Sequence, residues 1–312
     1  MHILKTKLSH PILNHQMMIQ RPQLLEKILQ CTHQQSMVLI QAAAGYGKTT
    51  LMQQLSQLLQ EQDCVSQWLT LDSDDNDPIR LYQYLWFALC DTEQREIFND
   101  GLITQYNIDQ LIQQLPQKKQ TTVIFVDEFE HLKSKNSLNV LWWLYQHLPT
   151  NYHVVIASRV RPEWNLAKDI LQGRIQVVTE SQLSLKPEDT SLLIEFLHQQ
   201  NPEQAAIDVE LAQLLIDKTE GWITGVQLAN LYLKDHQDTI GFVHNLNGEN
   251  YQISNYLSEQ VFSQQDINIQ KFLLQMSVLR KVNLALIMTL TGNQDAQHIL
   301  DTISQKGLFV QA

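Results

Sequence analysis

Apolar residues run through this chain in two rhythms. Up to about Ser184, short unbroken apolar runs alternate with stretches whose apolar positions recur every three or four residues. The unbroken runs read as buried strands: Met37–Gln41, Val65–Leu71, Thr122–Asp127, Tyr152–Ser158 and Ile175–Val178. Between them the periodic stretches read as helices. One opens at Lys48 and runs to about Gln60 with Leu51, Leu55, Leu58 and Leu59 on one face; others cover Pro78–Cys90 and Ser137–His147. Asp77-Pro78 supplies an N-cap followed by a proline at the first helical position. Such alternation predicts a parallel sheet covered on both faces. Beyond Ser184 the strand signals stop. Lys186-Pro187-Glu188-Asp189 opens a helix through His198, and helical spacing recurs over Ile207–Thr219, Trp222–Leu233, Tyr251–Phe262 and Gln265–Ser277. Gly221 stands where a C-terminal cap is expected, and Asn245-Leu246-Asn247-Gly248-Glu249-Asn250 is the best linker candidate. Gly307-Leu308-Phe309-Val310 reads as the beginning of a strand, so the chain is expected to be cut from something longer.

The junction of the first strand and the first long helix carries the clearest chemistry. Ala42-Ala43-Ala44-Gly45-Tyr46-Gly47-Lys48-Thr49 follows an apolar strand and opens an amphipathic helix. Strand, glycine-containing loop and Gly-Lys-Thr at a helix start form a phosphate cradle. The glycines let backbone N–H groups turn inward toward an anion, and the helix N-terminus adds unsatisfied donors. Lys48 is placed to reach the outer phosphates and the Thr49 hydroxyl to hold Mg²⁺. The first position of the usual pattern is Ala42 instead of glycine, which costs little where positive φ is not needed.

A second signal completes the first. Thr121-Thr122-Val123-Ile124-Phe125-Val126 ends in Asp127-Glu128. Carboxylates at the C-terminal end of a central parallel strand sit where open α/β sheets bind ligands. Asp127 would hold Mg²⁺ through water, and Glu128 would orient or deprotonate an attacking water. Alone, such a pair reads as solvated acids at a strand end. Downstream of a phosphate loop it becomes the other half of a nucleotide site.

Composition narrows the reading. The 312 residues suffice for two or three domains, and 44% hydrophobic residues supply a sizeable core. The net charge of −11 argues against binding phosphate backbones, so no DNA binding is expected of this segment. Three widely separated cysteines, Cys31, Cys64 and Cys90, fit a reducing cytoplasm better than a disulfide framework or zinc site. No apolar run approaches membrane-spanning length, and the N-terminus lacks a signal-peptide core.

Over nearly its whole length the sequence resembles the nucleotide-binding front end of MalT-like regulators, the ATP-dependent members of the LuxR family within the signal-transduction (STAND) class of P-loop ATPases. The resemblance rests on Leu4-Lys5-Thr6-Lys7-Leu8, Ile19-Gln20-Arg21-Pro22-Gln23-Leu24, the loop Ala43-Ala44-Gly45-Tyr46-Gly47-Lys48-Thr49-Thr50 and, most distinctively, Trp68-Leu69-Thr70-Leu71-Asp72-Ser73-Asp74-Asp75-Asn76-Asp77-Pro78. It continues through Phe125-Val126-Asp127-Glu128-Phe129-Glu130-His131-Leu132, Ala157-Ser158-Arg159, Gly221-Trp222 and Leu273-Leu274-Gln275-Met276-Ser277-Val278-Leu279. Glu128 stands where the family commonly has Asp. The resemblance implies an α/β P-loop NTPase domain over 1–180, an all-α helical domain over 181–245 and the start of a winged helix over 246–312. It implies that Arg159 senses the γ-phosphate, with Arg161 as the alternative, and that Arg21 and Gly221 lie near the adenine. Candidate catalytic residues are then Glu128, Asp127, Lys48 and Arg159. Nucleotide-binding candidates are Arg21, Ala44, Gly45, Tyr46, Gly47, Lys48, Thr49, Thr50 and Gly221, with Thr49 and Asp127 as metal ligands. The implied cofactors are ATP or ADP with Mg²⁺. The implied partners are the chain's own C-terminal sensor and DNA-binding domains, absent from this sequence, and further copies in an assembly that ATP permits.

The implied function is a cytoplasmic ATP/ADP switch for transcription regulation, with slow Mg²⁺-dependent hydrolysis and nucleotide-gated domain rearrangement. Two other classes are carried beside it: a P-loop phosphotransferase acting on a small molecule, and a nucleotide-binding interaction module without turnover. Several residues carry plain readings as well. The acidic stretch Asp72–Asp77 reads as a solvated loop with a capping Asp77 in preference to a second metal site. His131 reads as a structural residue, and Trp68, Trp142, Trp143 and Trp222 read as core. Tyr46, with a glycine on each side, reads as exposed and free to contact nucleotide or a neighbouring domain.

Overall fold

The computed structural model describes residues 4–11, 18–34, 36–90, 103–116, 120–202, 207–233, 239–244, 246, 254–255, 258–263, 265–277, 279, 284–293 and 295–305. Contacts divide the chain into two compact units: Met1–Ala42 with Gly47–Leu183, and Ala43–Tyr46 with Ser184–Ala312.

The first unit is built on five parallel strands: β1 (Met37–Gln41), β2 (Val65–Thr70), β3 (Thr122–Asp127), β4 (Tyr152–Ser158) and β5 (Ile175–Thr179). Their order across the sheet is β2-β3-β4-β1-β5. Burial follows this order. Every residue of β3 and β4 is buried, as unbroken apolar runs covered on both faces require, whereas the edge strands β2 and β5 are only partly covered. Among the described residues the helices of this unit are α1 (Pro22–Gln34), α2 (Lys48–Glu61), α3 (Pro78–Cys90), α4 (Gln105–Gln113), α5 (Lys135–His147), α6 (Ala167–Leu171) and α7 (Glu180–Leu183). The core joins Leu39, Leu69, Ile124, Val126 and Ile156 of the sheet to Leu81 and Leu85 of α3 and Leu141 and Leu144 of α5. Asp77 caps α3 as expected, its Oδ1 accepting from the N–H of Ile79 at 2.9 Å.

The register decides where chemistry can happen. Gln41 of β1 pairs with Ser158 of β4, and Val126 of β3 pairs with Ile156 of β4. The C-terminal ends of β1, β4 and β3 therefore lie level, with β4 interposed between the strand that feeds the loop and the strand that ends in acids. Open parallel sheets bind ligands at this edge.

Two plain readings need correction here. The Asp72–Asp77 stretch is not simply solvated: Asp75 is 0% exposed. It pairs with the buried Lys7 and lies 3.5 Å from the guanidinium of Arg80, while Asp72 and Asp75 form a reciprocal capping box around the 3-10 turn Ser73–Asn76. A buried carboxylate must be paired to be tolerated, and its partner comes from the N-terminal segment. Of the four tryptophans, Trp68 alone is fully buried, stacked on Phe125 at 5.2 Å; Trp142, Trp143 and Trp222 are half-buried.

The second unit contains α8 (Thr190–Gln200), α9 (Val209–Thr219), α10 (Ile223–Leu233), α11 (Thr239–His244), α12 (Ile267–Met276), α13 (Leu284–Thr291) and α14 (Ala296–Gln305). The last three share a core of Ile269, Phe272, Met276, Ile287, Ala296 and Ile303. The helix expected over Tyr251–Phe262 is described mainly at Ser258–Phe262, which winds as a π-helical turn. The linker expected at 245–250, apart from Leu246, and the strand start at 307–310 lie outside the described residues. The end of α9 is made by Glu220 and Gly221, both at positive φ. Gly221 is required there: its φ is +73°, the N–H of Leu185 donates to its carbonyl at 2.9 Å, and a Cβ would come within 2.1 Å of the Leu185 carbonyl oxygen.

Candidate nucleotide site

The crown of the loop, Ala43–Tyr46, groups with the helical unit. There the indole N–H of Trp222 donates to the Ala44 carbonyl at 3.0 Å, and the Thr224 N–H and hydroxyl donate to the Gly45 carbonyl at 3.1 and 3.0 Å. A Cβ on Gly45 would approach the Trp222 ring to 2.5 Å, so the close contact depends on glycine. Trp222 was read as core; it is instead a half-buried residue whose polar edge holds the loop. Tyr46 is half-buried rather than exposed, and Gly221 immediately precedes Trp222.

The foot of the loop lies in the α/β unit. Gly47, at φ +79°, is the N-cap of α2 and its carbonyl accepts from the N–H of Leu51, so Lys48, Thr49 and Thr50 form the first turn. The Lys48 amine donates to the Ala42 carbonyl at 2.9 Å. Thr49 Oγ1 donates to Asp127 Oδ2 at 2.8 Å, which joins the start of α2 to the end of β3. Asp127 is 4% exposed, and its other oxygen accepts from the N–H of Glu128 at 2.9 Å. Glu128 has φ 56° and ψ 38°. That left-handed conformation costs a non-glycine residue roughly 1–2 kcal/mol and turns the chain sharply as it leaves the sheet.

Arg159, just past the end of β4, faces these acids. Its Nε lies 2.7 Å from Glu130 Oε1, one of its terminal nitrogens lies 3.7 Å from Glu128 Oε2, and its backbone N–H donates to Glu130 Oε2 at 3.1 Å. His131 Nε2 lies 3.6 Å from Glu128 Oε2 and is exposed. Arg161 is exposed. The structure thus brings Lys48, Thr49, Asp127, Glu128 and Arg159 to one edge of the sheet. Arg21 is engaged elsewhere in the same unit: its guanidinium donates to the carbonyls of Leu183 at 2.6 Å and Gln182 at 3.4 Å, fixing the approach to α1 against α7. Sequence reasoning passed over Glu130, whose only signal was a third acid within four residues of a strand end.

Crowding of charge at this edge moves the titrations. Burial pushes the Glu128 carboxyl up to about 7, aided by the charges of Glu130 and Asp127 and opposed by Arg159 and Lys48. Burial also raises Asp127, against the hydrogen bonds from Thr49 and Glu128. Burial lowers Lys48 despite the surrounding carboxylates. Each shift has the same leading origin, the burial of a charged group away from water. A hydroxyl and a carboxylate in contact are the hard oxygen donors that Mg²⁺ takes. Among the described residues no group of three or more His, Cys, Asp or Glu could hold a metal alone, so an ion here would rely on phosphate oxygens and water to complete its shell. Among the described residues no helix is long and apolar enough to cross a membrane.

Comparison with known proteins agrees with this architecture. Residues 31–157 match the AAA domain family, and residues 258–312 match the MalT winged helix domain family. The HTH-type transcriptional regulator MalT of Vibrio parahaemolyticus is 26% identical over 315 residues, covering 98% of this chain and 34% of that protein. The chain therefore spans about a third of the length of that curated relative. A Walker-type ATPase of Pyrococcus abyssi shares the fold with a TM-score of 0.58 at 12% identity, over 95% of this chain and 91% of its own. The ORC1 protein of Aeropyrum pernix, solved in complex with DNA, has a TM-score of 0.50 at 13% identity, over 93% of this chain and 84% of its own. The chain thus combines a five-stranded parallel sheet and a phosphate-loop sequence with an AAA-type segment and a segment similar to the MalT winged helix domain.

Proposed function

We propose that this chain is the nucleotide-binding switch of a MalT-like transcription regulator, taking ATP or ADP with Mg²⁺ and hydrolysing ATP slowly. The observation that carries the proposal is the 2.8 Å hydrogen bond between Thr49 and Asp127. It joins two motifs 78 residues apart into one set of oxygen donors beside the half-buried Lys48. In this reading 1–180 binds the nucleotide, while a helical domain over 181–245 and the first part of a winged helix over 246–312 respond to it. Backbone N–H groups of Ala44 to Thr50 cradle the phosphates, and Lys48 meets their outer oxygens. Thr49 and Asp127 hold Mg²⁺, whose chemistry is to neutralise charge on the phosphate oxygens. Glu128 orients the attacking water and accepts its proton at the carboxylate. Arg159 contacts the terminal phosphate and so distinguishes the two nucleotides.

Moving a two-state equilibrium from mostly one form to mostly the other takes about 5.5 kcal/mol of differential binding. Charge-assisted hydrogen bonds at roughly 1.5–3 kcal/mol each could supply part of that from Arg159 and the metal ligands. The test is titration of the 312-residue chain with Mg²⁺-ADP and Mg²⁺-ATP in a calorimeter, followed by chromatography of the nucleotide after incubation. Binding with slow appearance of ADP supports the switch. Binding without ADP formation leaves an interaction module, a phosphorylated acceptor indicates a phosphotransferase, and absence of binding removes the proposal.

A further inference from the structure

Glu130 belongs to neither half of the nucleotide motif, yet both of its oxygens lie against Arg159 at this edge of the sheet. It lies in the 3-10 turn Phe129–His131 that follows β3, and its side chain is 13% exposed. Both of its oxygens turn to one residue. Oε2 accepts from the backbone N–H of Arg159, and Oε1 lies 2.7 Å from the Arg159 Nε. That second contact is close without being aligned: Oε1 has no hydrogen-bond donor in good geometry among the described residues. Glu128 reaches the same guanidinium from 3.7 Å. One cation, at the end of the strand that separates loop from acids, is thus held by two carboxylates, and one of them is anchored to that cation's own backbone.

We propose that Glu130 is a positioning residue that holds the Arg159 guanidinium against the β3 acids and yields it to the terminal phosphate of a bound nucleoside triphosphate, so that Glu130 sets how strongly the protein discriminates triphosphate from diphosphate. The inference rests on the nucleotide-binding reading above. A guanidinium forms its best bonds with planar or tetrahedral oxyanions that meet its fork in line, and a terminal phosphate offers three such oxygens. Glu130 gives proximity without alignment, so the exchange improves geometry for Arg159. A diphosphate lacks the group that competes. The backbone bond from Arg159 to Oε2 keeps Glu130 in place when the guanidinium leaves, which makes the exchange a swing of one side chain. The electrostatic reach of Glu130 agrees: among charged neighbours it acts most strongly on Lys48 and on Glu128.

The experiment compares Mg²⁺-ADP with a non-hydrolysable Mg²⁺-ATP analogue, by calorimetry, on the 312-residue chain. Glu130→Gln keeps an acceptor for the Arg159 N–H and removes the charge. It should tighten the triphosphate analogue by about three- to tenfold, less than an aligned charge-assisted hydrogen bond would give because this contact is out of line, and change ADP by less than about twofold. On an Arg159→Ala background the same substitution should no longer alter the ratio of the two affinities. Should Glu130→Gln fold poorly, Glu130→Asp shortens the side chain by one methylene and should raise the same ratio. Equal changes for both nucleotides, or weaker binding of the triphosphate analogue, would overturn the inference while leaving nucleotide binding intact. A parent chain that binds neither nucleotide would overturn both.

Discussion

Two acidic clusters lie in the α/β unit, and they are formally alike. Asp72, Asp74 and Asp75 face Lys7 and Arg80; Asp127, Glu128 and Glu130 face Lys48 and Arg159. Three carboxylates meet two cations in each, yet Asp72 is driven one way and Asp127 and Glu128 the other. Burial alone would raise Asp72, but its hydrogen bond and charge contact with Lys7 outweigh that and hold it below its ordinary value. At the β3 edge, Asp127 and Glu128 are pushed up. The first cluster is closed upon itself, stapling the N-terminal segment to the β2–α3 connection with Tyr84 beneath the Lys7 amine. What separates the two charge clusters is where the cations lie, not how many there are.

The largest effect should come from breaking the closed cluster. Lys7→Met removes the buried partner of Asp75 and should cost about 3 kcal/mol of unfolding free energy in urea titrations, with nucleotide affinity changed less than about twofold. A loss of affinity matching the loss of stability would mean that the two clusters are coupled. Next is Glu128→Gln, which keeps shape and removes the proton acceptor. Single-turnover assays should show ATP bound and its hydrolysis slowed about a hundredfold, and hydrolysis at the parent rate would assign the water-orienting role elsewhere.

Lys48→Ala should weaken ADP and ATP roughly ten- to a hundredfold in calorimetry while thermal unfolding of the nucleotide-free chain stays nearly unchanged. Unchanged affinity would remove the phosphate-loop assignment. The smallest effect is on pH dependence. Glu128 has a folded-state pKa above that of the unfolded chain, so the folded form binds the extra proton between about 4.5 and 7. Its contribution to stability is complete below the unfolded value and is lost as pH rises through about 7. Urea midpoints of nucleotide- and Mg²⁺-free protein should therefore fall across that window, and Glu128→Gln should flatten the fall. An unaltered slope in the variant would place the titration on another group.

The central strands were legible because β1, β3 and β4 are covered on both faces and so carry uninterrupted apolar runs. The loop and Asp127 could be read because glycine, lysine, threonine and aspartate at such spacings serve a known chemistry. The partnerships that tune them could not. Lys7 meets Asp75 across 68 residues, and nothing near either residue announces the other. Glu130 reads as one acid among neighbours until the register of β3 against β4 brings it to Arg159. Trp222 has the composition of a core residue, and only its Nε1 bond to Ala44 reveals it as a loop contact. Local pattern reports what an element must bury; it carries no record of which distant side chain will complete a charge.

The insertion of β4 between β1 and β3 makes the sheet a ruler. Adjacent strands stand about 4.8 Å apart, so the axes feeding the loop and the acids are separated by about two such steps, near 10 Å. Backbone hydrogen bonds on both sides of β4 fix that interval. The two motifs cannot close on a smaller ligand or part for a larger one by sliding strands, because doing so would break a ladder in the middle of the core. Adjustment to a ligand at this edge would fall to side chains that extend past the strand ends, Arg159 among them.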